Sequence, residues 1–155
     1  MLPKEYLEKL KAKGLTLGSV ESLTGGLFSA TVTGIPGASK VYRGTIVAYS
    51  EDEKTKLLGI KYGLIAKHGV VSAAVALAMA TAGLKILNVA VCVSFTGNAG
   101  PDALDGLPVG TVYLGIATSK ETKVISLQLK GTRNAIRKQC VQIALDESIK
   151  LAEVL

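Results

Sequence analysis

Near the start of the chain stands a polar, glycine-closed turn with the sequence Val20-Glu21-Ser22-Leu23-Thr24-Gly25-Gly26. Residues 15–20 before it alternate with a period near two, and residues 27–30 after it favour a helix. The pattern predicts a strand, a turn and a helix. Because the first amides of a helix lack internal partners and lie at the positive end of its dipole, such a turn suits an anion or a developing oxyanion. The alternative interpretation is that Ser22 or Thr24 only caps the helix.

Outward from this turn, hydrophobic periodicity predicts about five strands and five helices. The expected helices begin near residues 3, 27, 51, 72 and 133, and the expected strands cover 15–20, 41–50, 89–95, 110–118 and 123–129. The last two strands are joined by four residues, which suffice only for an antiparallel hairpin. Residues 65–69, which include the single histidine His68, are expected to form a loop. These elements predict one domain over residues 1–155, a three-layer α/β/α sandwich on a mixed, mostly parallel sheet.

Composition narrows the class of ligand. The 155 residues carry a net charge of +6, which favours an anionic small molecule such as a phosphorylated nucleotide. Only 5% of the residues are aromatic, so a stacking surface for nucleic acid is not expected. The most apolar stretch, residues 69–84, contains Ser72 and Thr81 and is shorter than the roughly 20 residues of a membrane span. We therefore expect no membrane partner.

The chain termini and the cysteines indicate the compartment. The first five residues contain no apolar signal segment, and we expect a cytoplasmic protein. Cys92 and Cys140 both lie in apolar surroundings, which predicts two buried, reduced thiols.

Candidate chemistry centres on hydroxyl groups near the carboxyl ends of strands, where ligands bind in such sheets. A second glycine turn begins at Thr96-Gly97, so Ser22, Thr24 and Thr96 are expected to face one crevice. A serine nucleophile needs a base. Two candidates remain open, namely Lys54 with a lowered pKa and His68 paired with Glu21. No spacing typical of a metal site or of a dinucleotide or P-loop motif is present, and we expect neither metal nor cofactor.

Several short motifs occur in a fixed order along the chain. They are Glu21-Ser22-x-Thr24-Gly25-Gly26, Ile35-Pro36-Gly37-Ala38-Ser39, Tyr49-Ser50, Lys54 with Leu58-Gly59, His68-Gly69-Val70-Val71-Ser72, Thr96-Gly97-x-Ala99-Gly100-Pro101 and Pro108-Val109-Gly110-Thr111-Val112-Tyr113. In content and order they resemble the CinA C-terminal domain family of competence- and damage-inducible proteins. Stand-alone members of that family include bacterial nicotinamide mononucleotide deamidases. The resemblance extends from about Tyr6 to the last helix.

The resemblance implies a function and a set of site residues. It implies a homo-oligomer that hydrolyses the carboxamide of nicotinamide mononucleotide to nicotinic acid mononucleotide and ammonia. In the implied catalytic set, Ser22 attacks the amide carbon, Lys54 accepts the proton, and Tyr49 orients Lys54 or the substrate. The implied substrate-binding residues are Thr24, Gly25 and Gly26 in one turn and Thr96 and Gly97 in the other, with the amides of either turn stabilising the oxyanion. Arg133 and Arg137 are implied to hold the phosphate. Thr24 as nucleophile and His68 as base stay as alternatives.

Four positions depart from the pattern of the family. The family usually has a small residue at the position of Leu23, Asn at that of Glu51, Ile at that of Asn98 and Asp at that of Thr132. The departures at Asn98 and Thr132 favour an alternative hypothesis, a nucleotide-binding or interaction module without turnover, linked to competence or to the DNA damage response.

Overall fold

The computed structural model describes residues 1–155 and contains one five-stranded sheet. The strands are β1 (Leu17–Glu21), β2 (Tyr42–Val47), β3 (Val91–Gly97), β4 (Thr111–Thr118) and β5 (Thr122–Gln128). Their order is β2-β1-β3-β4-β5. Strand β1 is parallel to β2 and β3, whereas β4 is antiparallel to β3 and to β5. Four of the five strands thus share one direction, which confirms the predicted mixed, mostly parallel sheet.

Helices cover both faces of this sheet. They are α1 (Pro3–Ala12), α2 (Leu27–Thr33), α3 (Glu51–Leu58), α4 (Tyr62–His68), α5 (Ala73–Ile86) and α6 (Arg133–Ala152), with a short 3-10 helix at Ala38–Lys40. None of these helices has both the length and the apolar character that crossing a membrane requires. The larger hydrophobic cluster joins α1, α2 and α6 to one face, and the smaller joins α3, α4 and α5 to the other. The three-layer α/β/α arrangement is therefore confirmed.

Strand β3 has a mostly apolar sequence because both of its faces are covered. Val91, Val93 and Phe95 lie in the larger cluster, while Cys92 lies in the smaller one. Since side chains alternate between the two faces of a strand, a sheet covered on both faces favours apolar residues at most positions.

Several local predictions are confirmed. Ser72 caps α5, where its hydroxyl accepts from the amide of Val75, and Gly59 ends α3 in the left-handed conformation with φ +70°. Strands β4 and β5 form the expected hairpin. Cys92 and Cys140 are both buried and free.

The strand expected over residues 41–50 is shorter, because β2 ends at Val47 and Ser50 caps α3. Two further predictions about element boundaries were wrong. Residues 65–69 were expected to be a loop, but Tyr62–His68 form α4, which Ile65 anchors to the smaller cluster. Strand β3 was expected to end at Phe95, but it continues to Gly97 because Thr96 and Gly97 pair with β4. In both cases tertiary contacts stabilise a conformation that local propensity alone does not specify.

The carboxyl edge of the parallel strands collects the segments that matter for function. Strands β1, β2 and β3 end side by side in the sheet at Glu21, Val47 and Gly97. Helix α2 begins after β1, α3 after β2 and α6 after β5, so their N-termini lie at this same edge. The positive ends of several helix dipoles therefore converge there.

Candidate active site

A cavity of about 310 Å³ opens at the carboxyl edge of the sheet. Six of the predicted site residues line it, namely Ser22, Tyr49, Lys54, Thr96, Gly97 and Arg133. The other four, Thr24, Gly25, Gly26 and Arg137, do not. The structure thus brings residues from three strand ends and from the start of α6 to a single pocket.

Ser22 and Lys54 form a hydrogen-bonded pair in the wall of this cavity. The Nζ atom of Lys54 lies 3.0 Å from Oγ of Ser22. The two residues are 1% and 8% exposed, Lys54 being the more buried. Of the two hydroxyls considered as nucleophile, only that of Ser22 contacts a candidate base, since Oγ1 of Thr24 is buried without any hydrogen-bond partner.

The backbone that follows β2 fixes the Lys54 side chain. Nζ of Lys54 also donates to the carbonyl oxygens of Ala48 at 2.9 Å and of Tyr49 at 3.3 Å. Lys54 lies in the first turns of α3, which Ser50 caps by accepting from the amide of Glu53. A capped helix and two fixed carbonyls therefore aim the amine at Ser22.

Lys54 is a buried cation without a counterion. No carboxylate lies within ion-pair distance of its Nζ. Burial lowers the pKa of Lys54 from 10.5 to about 8, and the negative charge of nearby Glu51 acts against this by raising the pKa. The neutral amine that a general base requires is thus accessible near neutral pH.

Glu21 has a structural role that the sequence did not reveal. Its fully buried carboxylate accepts hydrogen bonds from the amides of Gly26 at 3.2 Å, Phe28 at 3.0 Å and Ser29 at 3.1 Å. The N-cap of α2 is Gly26, at φ +101°, so the alternative interpretation that Ser22 or Thr24 only caps this helix is wrong. Glu21 instead satisfies the free amides of α2 from the preceding strand.

The amides available to an oxyanion are fewer than the sequence suggested. The amide of Gly25 donates to the carbonyl of Ser22, and that of Gly26 donates to Glu21. Both glycine amides are therefore occupied, which corrects their predicted role. The amides of Leu23 and Thr24 make no hydrogen bond within the chain, and Leu23 lines the cavity.

His68 stands apart from the pocket. It is the last residue of α4, is exposed and does not line the cavity. Its proposed partner Glu21 is fully occupied by the N-terminus of α2. The alternative arrangement of Ser22, His68 and Glu21 is therefore absent, because the imidazole lies on the surface at the C-terminus of α4.

Arg133 and Tyr49 form the rim of the cavity. The guanidinium of Arg133 donates to the hydroxyl of Tyr49 at 3.2 Å and to the carbonyl of Gly100. The Tyr49 side chain is 62% exposed, and it is the backbone carbonyl of Tyr49 that contacts Lys54 and Ser22. An exposed cation at the mouth of the pocket is suited to an anionic group of a ligand.

Arg137 has a different place from the one predicted. Its Nε donates to the carbonyl of Leu23 and its Nη2 to the carbonyl of Thr24, each at 2.9 Å, while Nη1 contacts Asn134. With all three nitrogens engaged and no surface on the cavity, Arg137 braces the turn after Ser22. Sequence spacing could not separate it from Arg133, which lies one helical turn earlier.

Three of the four departures from the family pattern lie on the cavity wall, namely Leu23, Glu51 and Asn98. The amide side chain of Asn98 accepts from the backbone of Gly100 and donates to the carbonyl of Leu107, so it braces the loop after β3. Thr132 caps α6 by accepting from the amide of Ala135. The wall also includes Val70 and Val71, which the sequence placed in a motif without a role.

Fold and site together define a class, the α/β/α proteins that hold a buried serine–lysine pair at the carboxyl edge of a mixed sheet. The chain belongs to the CinA C-terminal domain family, whose sequence model matches residues 1–152. This match confirms the resemblance inferred from the ordered motifs.

Individual relatives carry the same family name. A protein of Limosilactobacillus reuteri (strain DSM 20016), named as competence-damage inducible, is 45% identical over 147 residues, 93% of this chain and 35% of the relative. A protein of Geobacillus kaustophilus with the same name is 46% identical over 132 residues, 84% of this chain and 32% of the relative. The chain thus spans about a third of the length of these curated relatives.

Solved structures of the superfamily share the whole fold. The competence/damage inducible protein CihA of Agrobacterium tumefaciens superposes with a TM-score of 0.94 at 30% identity, covering 97% of this chain and 93% of its own. A CinA superfamily protein of Klebsiella pneumoniae also gives 0.94, at 27% identity, covering 98% of this chain and 96% of its own. The two-sided α/β/α sheet is thus the architecture of these proteins too.

Proposed function

We propose that the protein is an amidohydrolase of pyridine-nucleotide salvage, which converts nicotinamide mononucleotide to nicotinic acid mononucleotide and ammonia. The observation that carries the proposal is the 3.0 Å contact between Lys54 Nζ and Ser22 Oγ in a cavity wall. A buried lysine without a counterion beside a serine is a pair suited to acyl transfer without a metal.

The first half of the reaction forms an ester. The neutral Lys54 amine keeps its two hydrogen bonds to the carbonyls of Ala48 and Tyr49 and turns its lone pair toward the Ser22 hydroxyl. Ser22 Oγ attacks the carboxamide carbon while its proton passes to Lys54. The tetrahedral intermediate then collapses, the C–N bond breaks, and Lys54 returns the proton to the leaving nitrogen, which departs as ammonia.

The second half repeats these proton transfers with water. Neutral Lys54 takes a proton from water, the resulting hydroxide attacks the ester carbon, and the proton returns to Ser22 Oγ as the carboxylic acid leaves and gives its own proton to solvent. The unpartnered amides of Leu23 and Thr24 follow the nucleophile directly and support an oxyanion site there. One such donor contributes about 3 kcal/mol of transition-state stabilisation in known cases.

The rim of the pocket supports a phosphorylated substrate. Arg133 is exposed, lines the same cavity as the Ser22–Lys54 pair, and offers guanidinium donors to a phosphate. The N-terminus of α6, which begins at Arg133, adds a positive dipole end at the same edge. The net charge of +6 attracts an anionic substrate over a longer range.

Two further properties belong to the proposal through the family resemblance. We expect a cytoplasmic protein that assembles into a homo-oligomer of two or more copies. Sedimentation equilibrium of the purified protein checks the assembly, and a monomer at all concentrations contradicts it.

Ammonia release by the purified protein tests the function. We expect turnover of nicotinamide mononucleotide, with little or none of nicotinamide riboside and nicotinamide, which lack the phosphate that Arg133 holds. The Ser22→Ala variant is expected to lose at least about 10⁴-fold in kcat with an unchanged Tm, because the nucleophile is gone and the fold is not touched. Full turnover by this variant removes Ser22 from the mechanism.

A protein without turnover gives the other outcome. If the folded protein binds the mononucleotide by calorimetry and releases no ammonia, it is the silent binding module instead. Leu23, Glu51 and Asn98, which line the cavity, are then the residues to restore to the family pattern first.

A further inference from the structure

Resting on the proposed function, we infer that Glu51 is a specificity-determining residue that recognises the positive charge of the substrate's pyridinium ring. Glu51 is the first residue of α3 and lies on the wall of the cavity beside Ser50 and Lys54. The ring is therefore selected in its cationic form over a neutral ring of the same shape.

The charges on the cavity wall support this assignment. Among the residues that line the cavity, Lys54 and Arg133 are basic and Glu51 is the single acid. A mononucleotide with a pyridinium ring carries a positive charge close to its carboxamide and a negative phosphate at its other end. When the carboxamide reaches Ser22, its cationic ring comes near Lys54, and Glu51 supplies the charge that offsets the repulsion whenever the Lys54 amine is protonated.

Of the three acids in the first turn of α3, only Glu51 has a side chain without a hydrogen bond or an ion pair. Asp52 accepts from the Tyr62 hydroxyl at 2.5 Å, and Glu53 lies 3.8 Å from Lys56. Glu51 has neither a hydrogen bond nor an ion pair of its side chain within the chain, and it alone of these three acids lines the cavity. The first turn of α3 therefore points one unengaged carboxylate at the pocket.

The same carboxylate bears on the orientation of the substrate. A phosphate placed near Glu51 is repelled, whereas a phosphate near Arg133 is attracted. The two charges, both on the cavity wall, favour one orientation of a zwitterionic substrate, with the ring toward Ser22 and Lys54 and the phosphate toward Arg133.

Equilibrium binding separates the ring charge from every other contact. The probes are nicotinamide mononucleotide and its 1,4-dihydro form, which has the same phosphate and ribose but a neutral ring. Calorimetry with the full chain carrying Ser22→Ala measures both dissociation constants without turnover. The ratio of the two constants cancels any change in phosphate attraction, so it reports the ring charge alone.

The matched control is Glu53→Gln, which removes the same charge from the same helical turn but away from the cavity. We expect Glu51→Gln to reduce the preference for the cationic ring about fivefold, the upper range for an exposed charge pair, and Glu53→Gln to leave it unchanged. Circular dichroism of each variant establishes that the fold is retained.

Each outcome decides the inference. An unchanged preference in Glu51→Gln, or an equal loss in Glu53→Gln, overturns the role of Glu51 while ammonia release still supports the proposed function. Failure of every variant to bind either mononucleotide overturns both.

Discussion

Two buried charges lie near the end of β1, and they are held in opposite ways. Glu21 is 0% exposed, and three amides of the α2 N-terminus donate to its carboxylate. Lys54 is 1% exposed, but its amine meets only two carbonyls and the Ser22 hydroxyl, on the wall of a cavity. The carboxylate of Glu21 therefore stabilises the fold, whereas the amine of Lys54 remains able to exchange a proton.

This contrast distinguishes buried charges that stabilise the fold from buried charges that can take part in a reaction. A carboxylate saturated by helix amides stabilises the strand–turn–helix unit and has no capacity left for a substrate. A lysine whose pKa is lowered by burial, and whose third hydrogen bond goes to a hydroxyl at a cavity, can exchange a proton with that hydroxyl. Burial alone does not distinguish the two, but the hydrogen-bond partners do.

Of the substitutions that test this comparison of the two buried charges, Lys54→Met is expected to have the largest effect. It should lower kcat about 10³-fold, because the general base is lost, while the free energy of unfolding stays constant or rises since a buried cation is removed. Ammonia release and urea unfolding measure the two quantities. A rate equal to that of the unaltered protein removes Lys54 from the mechanism.

Glu21→Gln should lower the free energy of unfolding, unlike Lys54→Met. The amide group of Gln replaces an acceptor oxygen with a donor, so amides of the α2 N-terminus lose their partner and the free energy of unfolding falls by about 3 kcal/mol. Urea unfolding at neutral pH, with Glu53→Gln as the surface control, checks this value. A midpoint unchanged from that of the parent protein contradicts the structural role of Glu21.

The pH profile tests Lys54 directly. Since the pKa of Lys54 is lowered to about 8, kcat/KM should rise about tenfold per pH unit below 8 and level off above it. The same lowered pKa makes the free energy of unfolding depend on pH. Between about 8 and 10.5 the unfolded chain holds a proton that the folded chain has released, so the Lys54 contribution to the free energy of unfolding rises with pH.

Comparison with Lys54→Met isolates these contributions from other titrating groups. The unfolding free energy of the parent, minus that of the variant, should increase over that pH range. A difference that stays flat, or a rate profile with its midpoint near pH 10.5, shows that the pKa of Lys54 is not lowered.

The two arginines at the start of α6 offer the smallest contrast. Arg133→Ala should raise KM for the mononucleotide about tenfold with kcat nearly constant, because a charged hydrogen bond to the phosphate is lost. Arg137→Ala should instead lower kcat and Tm, since the carbonyls of Leu23 and Thr24 are released. Steady-state kinetics of both variants measure the split. An equal rise in KM for both restores the original view of a paired phosphate site.

Much of this protein was predictable because local patterns and tertiary structure agree. The turn at residues 20–26, the caps at Ser72 and Gly59, and the β4–β5 hairpin all follow from spacing and turn chemistry. Helix α4 escaped prediction because its seven residues include Gly63 and bury only Ile65, so packing and not propensity forms it.

The site was predictable in its members but not in their roles. Ser22 and Lys54 were identified from the sequence, yet the choice between Lys54 and His68 needed the geometry, which puts the imidazole on the surface at the end of α4. Gly25 and Gly26 were assigned to an oxyanion site, and only the hydrogen bonds of the turn show that both amides are occupied.

The α/β/α class and the family could be inferred from the sequence alone, because strand alternation, helical periodicity and ordered motifs are local features of the chain. Which polar groups meet depends on the tertiary structure. Ser22 and Lys54 are 32 residues apart, and Arg137 reaches Leu23 over 114. Distances of 3 Å or less across such separations depend on strand order and helix packing, and the depressed pKa of Lys54 depends on the burial that they create.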